Sequence, residues 1–129
     1  MRKDAREAVL KVLYAREINP ESSEGLKKSL FRKLSAEEVG FADGLMQTVD
    51  AHEEEILRMI DENIRNFKKD RLFPVDRAVL MIAVAEILYF DDIPPVVSVS
   101  EATDLAQKYS TEKSADFVNG VLSGVIANV

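Results

Sequence analysis

Two sets of side chains in this sequence are candidates for chemistry. The first is acidic: His52 is followed directly by Glu53, Glu54 and Glu55, and Asp91 by Asp92. General acid–base catalysis needs a titrating group held against an oriented partner in a pocket, and nothing around His52 supplies one, so it reads as a surface histidine. The acidic pairs and triplets lack the spaced oxygen ligands of a calcium loop and read as solvated. With no cysteine and a single histidine, thiol nucleophiles, disulfides, thiolate metal sites and two-histidine metal motifs are excluded. The five glycines, at positions 25, 40, 44, 120 and 124, form no phosphate-cradling loop. Gly120 and Gly124, four apart on one helix, are instead placed to let another helix approach closely. The expectation is therefore a protein with no catalysis, no cofactor and no metal.

The second set is cationic and aromatic, and its chemistry is RNA recognition. Arg2, Lys3 and Arg6 lead straight into an amphipathic helix, from which they can reach phosphates without disturbing a core. Basic residues alone give salt-sensitive, sequence-independent affinity; unpaired bases also need flat groups to stack on. Tyr14, Tyr109 and Phe117 are the candidate planes, each with core packing as its alternative. Lys113 is a cation close in sequence to two of them. The net charge of −6 argues against nucleic acid only until its distribution is read. Residues 1–16 hold five bases (Arg2, Lys3, Arg6, Lys11, Arg16) against Asp4 and Glu7. Residues 65–77 hold another five (Arg65, Lys68, Lys69, Arg71, Arg77) against Asp70 and Asp76. An acidic body with two basic segments can present a positive face if folding gathers them.

The elements that must position these groups are all helical. Ala5, Ala8, Val9, Val12 and Leu13 follow the spacing of one buried helix face, and Asn19-Pro20 ends that helix. A short basic helix over 26–33 follows. Ser35 with Glu38 forms a capping box opening a helix that buries Val39, Ala42, Leu45, Met46 and Val49. Asp50 with Glu53 repeats the pattern and predicts a break near His52, followed by a face of Ile56, Ile60, Ile64 and Phe67. Pro74 suits the first position of a helix running to about Phe90. That helix is apolar nearly all round, as a central helix covered by its neighbours must be. Residues 91–95 form a turn. Val99, Ala102, Leu105, Ala106 and Tyr109 mark the next helix, and Ser114 the N-cap of a last one holding Phe117, Val118, Val121, Leu122, Val125 and Ile126.

Together these predict an all-α fold, a compact bundle of about seven helices in a single domain over 1–129. With 129 residues, 47% of them hydrophobic, the chain can bury a sizeable core. Its longest apolar run, Ala78 to Phe90, is 13 residues and contains Glu86. A bilayer span needs about 20, so no membrane is expected, and with no apolar N-terminal leader the location is expected to be cytoplasmic.

The ordered motifs make a resemblance visible. The run Asp70-Arg71-Leu72-Phe73-Pro74-Val75-Asp76-Arg77-Ala78-Val79-Leu80 resembles the "dRl..veRaiLR" signature of the NusB transcription antitermination factors. Residues 91–102, from Asp91-Asp92-Ile93-Pro94-Pro95 to Glu101-Ala102, are similar to that family's "ddiPykvaInEA". Leu105-Ala106-Gln107-Lys108-Tyr109 is similar to its "LAkrf", and Ser114 to Leu122, containing Phe117-Val118-Asn119-Gly120-Val121-Leu122, to its "SpkFVNGVL". At the other end, Ala5-Arg6-Glu7 with Leu13-Tyr14 is similar to "aRe.alqaLY". The match covers essentially the whole chain in order. It implies two helical subdomains in a NusB-like arrangement. It also implies binding to boxA RNA of ribosomal operons together with NusE, a small-subunit ribosomal protein, within an antitermination complex on RNA polymerase. Carried over by motif position, the RNA face is Arg2, Lys3, Arg6, Tyr14, Tyr109, Lys113 and Phe117, with Asp76 as an acceptor for a base amino group. Asp76 has a plainer reading as an acid favoured at a helix N-terminus. Met81 stands where the family commonly has arginine, and no tryptophan precedes the "dRl" run, Phe67 being the nearest aromatic. On this reading Phe117→Ala should weaken RNA binding without lowering the melting temperature. The rival readings are a helical adaptor that holds only proteins and a small helical hydrolase, for which the chain offers no nucleophile–base pair. A homodimer is left open.

Overall fold

The computed structural model describes residues 2–64 and 72–129. Arg65, Phe67, Lys68, Lys69, Asp70 and Arg71, and with them most of the second basic segment, lie outside the described residues. Within them the chain forms seven helices: α1 Arg2–Ile18, α2 Pro20–Arg32, α3 Ala36–Ala51, α4 Glu53–Ile64, α5 Pro74–Tyr89, α6 Pro95–Tyr109 and α7 Glu112–Ala127. The all-α expectation holds, and no described helix is long and apolar enough to cross a membrane.

Local sequence explains most boundaries. Proline occupies the first turn of α2, α5 and α6, where its missing N–H costs no helical hydrogen bond. Ser35 and Glu38 make the reciprocal capping box, Ser35 Oγ accepting from the Glu38 amide at 3.2 Å and Glu38 Oε1 from the Ser35 amide at 2.8 Å. Three boundaries differ from expectation. The second helix starts at Pro20 rather than near Leu26, because the proline that stops α1 also begins α2. The break at His52 is present, but Asp50 does not cap α4; its carboxylate takes a fork from Arg16 at 2.6 and 3.3 Å. The N-cap of α7 is Thr111, whose Oγ1 accepts from the Ser114 amide at 3.0 Å. Ser114 lies inside the first turn and is buried.

Helices α2 and α3 pack on α1, while α4, α6 and α7 gather around α5, which also lies against α1 and α3. These two groups correspond to the two expected subdomains, and they share one buried cluster. As its all-round apolar sequence predicts, α5 is the hub: every residue from Ala78 to Glu86 is buried. Helix α4 meets α7 closely at Gly124, where an added Cβ would lie 2.5 Å from Asn63 Oδ1. A larger residue at this position would have to push the Asn63 amide aside.

Candidate nucleic-acid interface

Long side chains bridge α1 and α6 in register, earlier residues to earlier and later to later. Lys3 Nζ lies 3.7 Å from Asp104, and one turn on Lys108 Nζ lies 2.8 Å from Glu7 Oε2. The Tyr109 hydroxyl donates to Glu7 Oε1 at 2.7 Å. Lys11 Nζ, a further turn along α1, lies 5.8 Å from the Tyr109 ring centre, within reach of a cation–π contact. The seam opens into a cleft of about 450 Å³ lined by Leu10, Lys11, Tyr14, Ile18, Val75 and Tyr109 among others. Tyr14 is 39% exposed at its edge. The cleft is thus an apolar hollow with two tyrosines and an ammonium at its margin.

Two elements of local sequence build this edge. Lys3, Glu7, Lys11 and Tyr14 are spaced four, four and three apart, which places them in one stripe of α1, while Ala5, Ala8, Val9 and Val12 on the other side are buried. Tyr109 ends α6. Lys113 follows in the first turn of α7 and is exposed. Burial pushes the Tyr109 hydroxyl up from its usual titration range, and its bond to the Glu7 carboxylate pushes it the same way.

The other candidates are placed differently. Arg2 is exposed at the far end of α1, paired with Asp92 at 3.3 Å and lying 4.5 Å from the Phe41 ring centre. Arg6 does not face solvent. Its side chain is 5% exposed, and its Nε and Nη2 donate to the two oxygens of Glu86 at 2.7 and 2.9 Å. Ser98 Oγ donates to the same carboxylate at 2.8 Å, and Arg6 Nη1 lies 3.6 Å from Glu101. The idea that Arg6 reaches phosphates without disturbing the core therefore needs correction. The rotation of α1 that sends Lys3 and Glu7 to the seam turns Arg6 onto α5, where Glu86 needs a counter-charge. Asp76 is fully buried; its Oδ2 accepts from Ser114 Oγ at 3.0 Å, and its Oδ1 has no hydrogen-bond partner among the described residues. In that position its carboxylate offers no edge to a base. Phe117 is 5% exposed and belongs to the hydrophobic cluster. Its alternative, core packing, is the one the structure adopts.

Sequence reasoning about the site passed over three residues that the seam brings to it: Glu7, Lys11 and Lys108. The signal was available for two of them, because Glu7 and Lys11 lie in the same α1 stripe as Tyr14. Lys108 carried none, since its neighbour across the seam is known only once α6 is laid along α1.

The comparisons with known proteins agree in full. Residues 3–127 match the family model described as the NusB family. The transcription antitermination protein NusB of Methylacidiphilum infernorum (isolate V4) is 37% identical, the alignment covering 97% of this chain and 90% of that protein. Among solved structures, T. maritima NusB superposes with a TM-score of 0.85 at 30% identity, covering 98% of this chain and 91% of that one. A crystal structure of antitermination factors NusB and NusE in complex with dsRNA superposes with a TM-score of 0.86 at 31% identity, covering 99% and 97%.

Proposed function

This chain belongs to the NusB family, and from that premise we propose that it acts in transcription antitermination as a non-catalytic, cytoplasmic adaptor. It binds single-stranded boxA-type RNA cooperatively with NusE, and the pair joins the antitermination complex on RNA polymerase. The observation that carries the reading is the cleft on which Tyr14 and Tyr109 open together beside Lys11. Aromatic faces at an apolar hollow offer an unpaired base a place to stack, and ammonium groups at its margin offer the phosphates a counter-charge. Arg2, Lys3 and Lys113 extend the cationic edge. Arg6, Asp76 and Phe117 support it from inside, by holding α1, α5 and α7 in place.

The division of labour follows from charge. The body is acidic, and Arg2 and Lys3 each already face a carboxylate, so the electrostatic part of RNA affinity is small. A partner that binds both this chain and the RNA raises the local concentration of one for the other and supplies the missing affinity. This family's solved relative in complex with NusE and dsRNA supports that arrangement.

The test is a titration of a boxA-type oligonucleotide with the protein, alone and with NusE, for wild type, Tyr14→Ala and Tyr109→Ala. Stacking is worth about 1–3 kcal/mol per base, so each variant should lose about fivefold to 150-fold in affinity. Wild type should bind more tightly with NusE than without. Wild-type affinity in both tyrosine variants would remove the cleft from the interface. RNA binding absent under every condition would leave the protein-only adaptor as the better reading, and equal affinities with and without NusE would refute cooperation.

A further inference from the structure

Glu7 stands in the middle of the α1–α6 seam and holds both Tyr109, which the RNA reading assigns to the ligand, and its neighbour Lys108. One of its oxygens takes the Tyr109 hydroxyl at 2.7 Å and the other takes Lys108 Nζ at 2.8 Å. Lys108 Nζ lies 5.3 Å from the centre of the Tyr109 ring, and Lys11 Nζ lies 5.8 Å from it. One carboxylate, two ammonium groups and an aromatic ring thus form a single cluster, of which Lys11 and Tyr109 line the cleft. Burial pushes the Glu7 carboxyl up, but the hydrogen bonds from Lys108 and Tyr109 outweigh it and hold the group below its ordinary value. Lys108 is held above its own, first through its bond to Glu7.

Resting on the RNA reading above, we propose that Glu7 is a built-in counter-charge that sets the RNA affinity of this face. A phosphate that takes Lys108 competes with Glu7 for its charge, and it does so beside a carboxylate that stays in place. The exposures decide which ion pair has this effect. Lys3 and Asp104 are 56% and 54% exposed, and Arg2 and Asp92 are 49% and 66% exposed. Water and salt compete freely for such pairs, and a phosphate can replace the acid at little cost. Glu7 is only 16% exposed, against 59% for Lys108. Its carboxylate is fixed by the helix beneath it and by the Tyr109 hydroxyl, so the lysine can swing towards a ligand while the acid stays and repels it.

Glu7→Gln isolates the charge, because the amide oxygen can still accept from Tyr109. The experiment titrates a boxA-type RNA oligonucleotide against the full chain over a series of salt concentrations, for wild type, Glu7→Gln, Lys108→Gln and the double variant. Glu7→Gln should bind about threefold to tenfold more tightly at low salt. The slope of log K against log salt should steepen by about 0.7, the value for one added single-strand phosphate contact. The gain should vanish in the Lys108→Gln background. Affinity equal to or below wild type in Glu7→Gln, or a gain that survives without Lys108, overturns the proposal and leaves Glu7 as a residue that merely positions Tyr109. If Glu7→Gln does not fold, Lys108→Gln carries the test alone: leaving Glu7 unopposed, it must weaken binding more than Lys3→Gln does, and a smaller loss overturns the proposal. A wild-type chain that binds no RNA with or without NusE fails at the earlier step and takes this proposal with it.

Discussion

Arg6 and Glu7 are neighbours on α1, each paired with an opposite charge on another helix, yet the two pairs differ in kind. Arg6 and Glu86 are 5% and 1% exposed, joined by two hydrogen bonds and completed by Ser98. Glu7 and Lys108 meet at a solvent-facing seam, where the lysine is largely exposed. One residue along a helix is a rotation of about 100°, which here separates the interior from the rim. The lesson concerns what a functional face can be made of. A dry, fully bonded pair cannot exchange its partner for a ligand without stranding a buried charge, so it specifies how α1 sits on α5 and α6. In the rim pair only the lysine is free to turn, so it can take part in binding without stranding a buried cation, although the Glu7 carboxylate stays beside any ligand it meets.

The largest effect that could break this contrast is on stability. Glu86→Ala leaves the buried Arg6 guanidinium with only the 3.6 Å contact to Glu101 and should cost about 3–5 kcal/mol, read as a shifted midpoint in urea or thermal unfolding. Replacing both partners together, Arg6→Met with Glu86→Leu, should recover most of that loss, because the only charge that loses a partner is then the part-exposed Glu101. A cost below about 1 kcal/mol for Glu86→Ala, the range of exposed pairs, would put the interior pair on the same footing as the rim. Next comes Phe117→Ala, which opens a cavity in the shared cluster and should cost about 3 kcal/mol. Any loss of RNA binding in that variant should follow its loss of folded protein. A wild-type melting curve with weakened RNA binding would return Phe117 to the interface, where the sequence reading had it.

How much of this was legible beforehand follows from what each signal depends on. The helices announced themselves through periodicity and local caps: the Ser35–Glu38 box, Pro74 in the first turn of α5 and the all-round apolar run of α5 are contacts within a few residues of one another. The errors at Pro20 and Ser114 are local as well, since a proline can end one helix and start the next, and Thr111 and Ser114 are both competent caps. The site was read less well because residue type does not report side-chain direction. Arg6 matched a basic arm, but Glu86, eighty positions away in sequence, decides where its guanidinium goes. Phe117 matched a family position, and the apolar neighbours of α7 absorbed it. Tyr14 and Tyr109 could be named as planes; that they share one cleft depends on α6 lying along α1.

The smallest effect sharpens the comparison from the side of protonation. The Glu7 carboxyl is held below its ordinary value of 4.5, burial opposing and the bonds from Lys108 and Tyr109 prevailing, with Lys11 adding a second favourable charge. A group whose folded pKa is lowered contributes stability that is present above its unfolded value and is lost as pH falls through the folded one. The wild type should therefore be more stable than Glu7→Gln near neutral pH, by less than about 1 kcal/mol since the pair is at the surface. That margin should shrink as the medium is acidified below the ordinary glutamate range. The RNA affinities should converge over the same interval, because a protonated Glu7 is as neutral as the glutamine and releases Lys108 in the same way. Denaturant melts and RNA titrations of the two proteins at neutral and acidic pH measure both margins. A stability gap that widens on acidification would mean that Glu7 serves the fold through something other than its charge, and the division between interior and rim would have to be drawn elsewhere on α1.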